Sequence, residues 1–265
     1  MCSSDLAGSQ PARVRSNGDV SIASAKGGAR VEGDVVAGPD GLVDVGQGAS
    51  IEGSVGRAEH ALRWTAPEAP ELPVLDLGAE LERKEPRIGP GGLHLPLIEL
   101  RGGQRMTLTG PLVLTVGALD LASGTRLQID ASEGPVVVHV LNDLQLASGS
   151  RWDHEAGGAS DVTLVVHQQH APVLRPKGSF VGALLAPDAE LELPAGLTFT
   201  GTAFARRLVF DHGARATWDP ATADRLAGLP SEPTLLAWGF AERPERSEEH
   251  TSELQSRQYL VCRLL

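Results

Sequence analysis

Leu119–Arg126 reads LDLASGTR, and Leu144–Arg151 reads LQLASGSR, twenty-five residues further on. Each stretch alternates apolar and polar residues for three positions and then breaks at Ala-Ser-Gly. That alternation is the period of a strand with one buried face, and the Ser-Gly break is a turn signal. The similarity extends backwards, because Leu112–Val116 (LVLTV) overlays Val137–Leu141 (VVHVL). Short strands are therefore expected at residues 112–116, 118–121, 126–129, 136–140 and 144–146. Gly and Pro recur too often for helices of ten residues to form here. Gly124 and Gly149 fall at matching positions, as glycines must if each coil turns a corner through a positive φ.

Two further pairs follow the same ruler. Ala29–Val35 (ARVEGDV) returns as Ala49–Val55 (ASIEGSV), twenty residues on, and Gly182–Ala186 (GALLA) returns as Gly201–Ala205 (GTAFA), nineteen on. Repeats of this length built from short strands predict an all-β fold, a parallel β-helix (β-solenoid) with coils of about 19–25 residues. A single coil cannot bury its apolar face alone, so stacked coils would place equivalent Leu, Val, Ile and Ala side chains in interior columns. The competing fold is a β-sandwich. Thr65–Pro73 (TAPEAPELP) has proline at every third position and predicts an extended connector. Glu80–Pro96 reads as a long polar loop. The expected organisation is N-terminal coils over residues 7–62, a connector and loop over 63–92, a main body over 93–220 and a cap or tail over 221–245. Within that tail, Ala221–Leu226 suits a short helix and Leu235–Phe240 an apolar cap.

The two ends read differently. Arg246–Ser256 (RSEEHTSELQS) and Leu260–Leu265 (LVCRLL) match the translation of a sequencing adapter, with an index across Arg257–Tyr259. Met1–Leu6 (MCSSDL) matches the partner adapter. Segments 1–6 and 246–265 are therefore set aside as artefacts. Both cysteines, Cys2 and Cys262, and the single tyrosine, Tyr259, leave with them, so no disulfide, thiolate metal site or thiol nucleophile is expected. The net charge of −11 moves only to −10, because Asp5 leaves at one end and three arginines balance three glutamates at the other. An acidic chain repels phosphate backbones, which argues against nucleic-acid binding. No run of eighteen apolar residues is present, so no transmembrane helix is expected. A signal peptide is taken as lost by truncation, and the sequence leaves the anchor open.

Phe180–Pro220 resembles a β-solenoid domain of bacterial surface and pilus-associated (PilX-like) proteins, and is similar to surface proteins labelled choice-of-anchor A. The matching features are Ala186-Pro187-Asp188-Ala189, then Gly201 to Ala205, then Thr217-Trp218-Asp219 where the family closes on a His-Tyr-Asp-like element. The coils at 29–55 resemble those that often precede this domain and, more loosely, those of bactofilins, which polymerise. The resemblance implies an extracellular or cell-surface protein and transfers no catalytic residue.

Candidate chemistry is sparse. His167 and His170 lie three apart in VVHQQHAP, so on a strand they face opposite sides and joint metal ligation needs a turn. Solvated turn histidines are the preferred reading. Asp153-His154-Glu155 reads as a polar loop cluster, and the Asp40–Asp44 turn as a weak calcium candidate lacking the calcium-binding nonapeptide. A polysaccharide lyase or hydrolase would need carboxylates aligned on adjacent coils. Asp120 aligns with Gln145 and Asp34 with Ser54, while Glu32 aligns with Glu52 as an expected solvated ladder. Arg126 and Arg151 suit a solvent-facing column. Trp152 and Trp218 suit either a sugar platform or edge packing, the latter preferred. Thr198, Thr200 and Thr202 could begin an ice-binding face, but Glu190 and Glu192 are expected on the strand before. The expectation is a non-enzymatic exported surface or pilus-associated structural or adhesion protein, with no catalytic, cofactor or metal residue assigned. Its expected partners are itself, other surface proteins or glycans. The alternatives are a polysaccharide-binding or polysaccharide-cleaving β-helix and an ice-binding-like protein.

Overall fold

The computed structural model describes residues 13–16, 18–22, 29–59, 67–75, 77–176, 178–219 and 221–222. Both segments read as adapters lie outside the described residues, as does Leu235–Phe240. The chain forms a parallel β-solenoid of about nine turns. We number the rungs I to IX along the stack. Rung I holds β8 (Arg87–Ile88) and β9 (Gly91–Leu100). Rung II holds β10 (Arg105–Thr109) and β11 (Leu112–Leu121), and rung III β12 (Arg126–Asp130) and β13 (Val136–Leu146). Rung IV holds β14 (Arg151–Ala156), β15 (Val162–Val166) and β16 (Val173–Leu174). Rungs V and VI are single bent strands, β17 (Ser179–Leu193) and β18 (Thr198–Phe210).

The remaining rungs are not in chain order. Rung VII begins with β19 (Arg215–Trp218) and is completed by the other end of the chain, β1 (Arg13–Ser16) and β2 (Val20–Ile22). β19, β1 and β2 all pair in parallel with β18. Rung VIII follows with β3 (Arg30–Glu32), β4 (Asp34–Ala37) and β5 (Val43–Val45), then rung IX with β6 (Ser50–Ile51) and β7 (Val55–Arg57). The N-terminal coils thus stack on the C-terminal end of the body.

Each turn has three faces. Face A carries β8, β10, β12, β14, β19, β3 and β6 with the first parts of β17 and β18. Face B carries the first halves of β9, β11 and β13, then β15, the middles of β17 and β18, β1, β4 and β7. Face C carries the second halves of β9, β11 and β13, then β16, the ends of β17 and β18, β2 and β5. The corner from face C to face A repeats as a four-residue turn. Thr125 N–H donates to Ala122 O at 3.2 Å and Ser150 N–H to Ala147 O at 3.0 Å. The third residue is Gly124 (φ 81°) or Gly149 (φ 90°), as a turn with a left-handed third position requires. The buried hydroxyls of Thr125 and Ser150 donate to the same carbonyls, so these polar side chains are satisfied inside the stack.

The expected repeats align as read, with Val31 beside Ile51, Gly182 beside Gly201 and Arg126 beside Arg151. One overlay slips by a residue: Leu112 pairs with Val136, not Val137, while Leu119 pairs with Leu144. A one-residue slip would turn every inward side chain outward. β13 absorbs the difference as extra chain at its bend, between Val140 and Asp143. The expected loop at 80–96 is only partly a loop, because it holds the helical turn α1 (Gly78–Leu81), β8 and the start of β9. Pro96 is tolerated because it sits at the bend of β9, opposite Gly117, next to the end of the stack.

Interior columns run the length of the stack. On face A, Met106, Leu127 and Trp152 are successive partners, and Phe180, Phe199, Ala216, Val31 and Ile51 continue the line. Trp152 and Phe180 rings lie 5.1 Å apart and Phe180 and Phe199 rings 5.5 Å apart, the latter stacked. Trp152 is fully buried, which removes it as a sugar platform.

The two ends differ. Beyond rung I, Val74 pairs with His94, Leu72 lies over Gly92, and Leu77 and Leu81 pack onto the core. Gln104 ties this cover down by donating to Leu81 O and Arg83 O. Ile88, Leu93, Ile98 and Leu100 are consequently buried. At the other end the equivalent columns end in the open, in Val55 of rung IX (55% exposed) and Val45 of rung VIII (42%), beside Leu42 at 62%, while at the rung I end Val74 (63%) and Leu75 (43%) of the cover are exposed.

Candidate functional site

The densest polar arrangement lies where rungs III and IV turn from face B to face C. His139 projects outward from β13, yet it is only 4% exposed. His167 follows β15 and stacks on it, with ring centroids 5.3 Å apart and Nδ1 of His139 3.0 Å from Nε2 of His167. Gln168 is also buried. Its Oε1 accepts from Leu144 N–H at 2.8 Å, the backbone group at the β13 bend, and its Nε2 donates to His170 O at 3.1 Å. His170 is exposed, 3.5 Å from Asp143. The HQQH run therefore splits: His167 joins His139 rather than His170, and Gln169 and His170 are exposed. His139 lies twenty-eight residues away, so spacing alone gave no sign of the pair.

A 3.0 Å contact between imidazoles needs one ring to donate and the other to accept. Burial, with the neighbouring His167, pulls His139 down to about 3, and burial also lowers His167, opposed by the Asp188 carboxylate. The unfolded chain takes up these protons near 6.5, whereas the folded pair does so only well below. Stability contributed by the neutral pair is therefore present above about pH 6.5 and lost progressively as the pH falls toward 3. We predict that thermal scans at pH 7 and pH 5 differ by roughly 2 kcal/mol, and that His139→Phe removes most of that difference. A variant with the same acid sensitivity as wild type would contradict this role.

The other candidates resolve into structural pairs. Asp153-His154-Glu155 lies on β14 rather than in a loop, and Asp153 pairs with Arg126 at 3.0 Å. Glu32 and Glu52 align as read, and Arg30 clamps both, at 3.2 and 2.7 Å. Asp34 accepts from Ser54 N–H and Oγ. Sequence reasoning missed one aligned carboxylate pair, Glu99 beside Asp120 on face C. Arg101 bonds to both and lies 2.8 Å from Asp120, filling the gap that a glycosidic oxygen would have to enter. Asp40 and Asp44 are exposed, and among the described residues no group of three metal-binding side chains converges.

The strand beside Thr198, Thr200 and Thr202 carries Ser179, Val181 and Ala183, not Glu190 and Glu192 as expected. Glu190 instead faces Arg207, 3.1 Å away on face C, because the bend in β17 moves it round the corner. On the far side Arg215 and Thr217 flank Thr198 and Thr200, so the threonines are interrupted. No protein-family model matches this chain, and no curated protein matches it at a significant level.

Proposed function

We propose that this chain is a non-enzymatic, exported bacterial structural protein of the cell surface or pilus, a rigid scaffold or adhesion element that associates with a second copy of itself. The observation that carries the reading is the apolar strand edge left open at the β5, β6 and β7 end of the stack. Interior columns are covered at rung I by Leu77 and Leu81, with Val74 and Leu75 exposed outside them, whereas at the other end they finish in Val45 on rung VIII and Val55 on rung IX, beside exposed Leu42. Among the described residues no strand lies beyond β5, β6 and β7. Unpaired parallel edges with apolar side chains invite strand pairing. Two copies related by a two-fold axis across rung IX would pair these edges antiparallel and cover the apolar ends, closing as a dimer rather than a fibre.

Asp40 and Asp44 lie close to this end, so like charges oppose the contact and salt should strengthen it. Sedimentation velocity on the full chain tests the reading. The expected result is a concentration-dependent dimer, favoured by added salt and lost in Val55→Lys. A wild type that stays monomeric up to high micromolar concentration would overturn it.

A further inference from the structure

Face A carries an outward row rich in arginine. The first residue after the corner from face C is Arg105 on rung II, Arg126 on rung III and Arg151 on rung IV, in direct register. Phe180 follows Trp152 in the interior column, and Ser179 and Thr198 continue the outward row on rungs V and VI. Arg215 and Arg30 come next on rungs VII and VIII, and Ser50 on rung IX. From rung II to rung IX the row therefore holds no acid, and all of its residues are exposed or half-buried. Glu85 ends it at rung I, 3.9 Å from Arg105.

Packing does not require this row. Like charges on neighbouring strands repel, and solvent screens that repulsion without removing it. Where arginine serves the fold on face C, acids hold it: Arg101 bonds to Glu99 and Asp120, and Arg207 to both oxygens of Glu190. Within the row, Arg30 is held by Glu32 and Glu52, and Arg126 by Asp153. Arg151 and Arg215 have no acidic partner among the described residues, and Arg105 has only the long contact to Glu85. The chain has 34 Asp and Glu against 23 Lys and Arg, so a shortage of acids does not explain the free guanidinium groups.

We propose that this row is a binding site for a linear, carboxylate-bearing polysaccharide lying along the stack. Guanidinium forks meet carboxylates through two parallel hydrogen bonds. The row is straight and one side chain wide, about 34 Å long over seven spacings of roughly 4.8 Å. A uronate chain is as narrow, and each sugar offers one carboxylate and advances the chain by close to one rung. Arg105, Arg151 and Arg215 supply the free charges, and the hydroxyls of Ser179 and Thr198 face sugar hydroxyls between them. Thr107 and Gln128 widen the polar strip on the next outward row. The row has no aromatic ring for a sugar to stack on, so recognition is electrostatic. The acidic remainder of the surface repels a broad polyanion such as duplex nucleic acid. The site gives the adhesion reading a ligand class, rests on that reading in this respect alone, and does not need the open end at rung IX.

Fluorescence anisotropy of the full chain with a labelled oligogalacturonate of about eight sugars, one per rung of the row, tests this. Binding should weaken about tenfold as sodium chloride rises from about 50 to 200 mM, opposite to the salt effect expected for the dimer. Arg151→Gln combined with Arg215→Gln should weaken it by roughly tenfold with an unchanged melting temperature. Arg207→Gln on face C and Val55→Lys at rung IX should bind as wild type does. No binding at low salt, or a double variant that binds like wild type, would overturn the proposal. So would equal binding of the methyl-esterified oligomer, because the carboxylates would then not matter. Equal binding of dextran sulfate at matched charge would count against it too, because any polyanion would then serve. Side-by-side association that the double variant abolishes, without oligogalacturonate binding, would assign the row to the acidic face of a second copy instead.

Discussion

Trp152→Ala is expected to destabilise the fold by about 3–5 kcal/mol, read as a lowered urea midpoint with the denaturant dependence unchanged. The side chain is fully buried at the centre of the face A column, against Leu127 on one side and Phe180 on the other. Its neighbours are anchored by strand pairing on adjacent rungs, so collapse into the cavity is limited. Trp152→Phe should cost much less. It keeps an aromatic ring beside Phe180, and it removes an indole N–H that is buried without a partner. Equal losses from the two variants would mean that the column is not the close-packed feature described.

Gly201→Ala is expected to cost at least about 3 kcal/mol, or to prevent folding. Gly201 turns the corner from face A to face B at φ 136°, a region that L side chains rarely enter, and a Cβ there would lie 2.0 Å from the carbonyl oxygen of Gly182. Rung spacing is set by backbone hydrogen bonds on both sides, so the clash has no cheap relief. Gly213→Ala is the control. Gly213 also has positive φ, 71°, but its nearest new contact is 3.8 Å away, so about 1–2 kcal/mol is expected. The ratio between the two variants separates backbone crowding from backbone strain.

The coil was legible because its signals are local. Alternation in LDLAS and LQLAS fixes which side chains face inward, and Gly124 and Gly149 mark a corner that only a positive φ can turn. The order of coils was not legible. Parallel pairing reads a shared period, not chain adjacency, so Val20 serves equally well beside Leu208 and beside Val43. Nothing near Arg13 announces that β1 will complete the turn begun by Trp218. The polar corner was hidden for a related reason. His139 and His167 meet because two rungs stack, and the bend after Val140 decides which residue of the HQQH run reaches inward. Glu99 and Asp120 escaped notice because β9 lacks the LASG signature that revealed its neighbours.

Small-angle scattering over a concentration series tests the assembly claim most directly. Nine rungs at roughly 4.8 Å make a rod of about 43 Å. Head-to-head association at rung IX predicts that the maximum dimension nearly doubles at constant cross-section as concentration and salt rise. A rod whose length never changes, or one that thickens instead of lengthening, would contradict it.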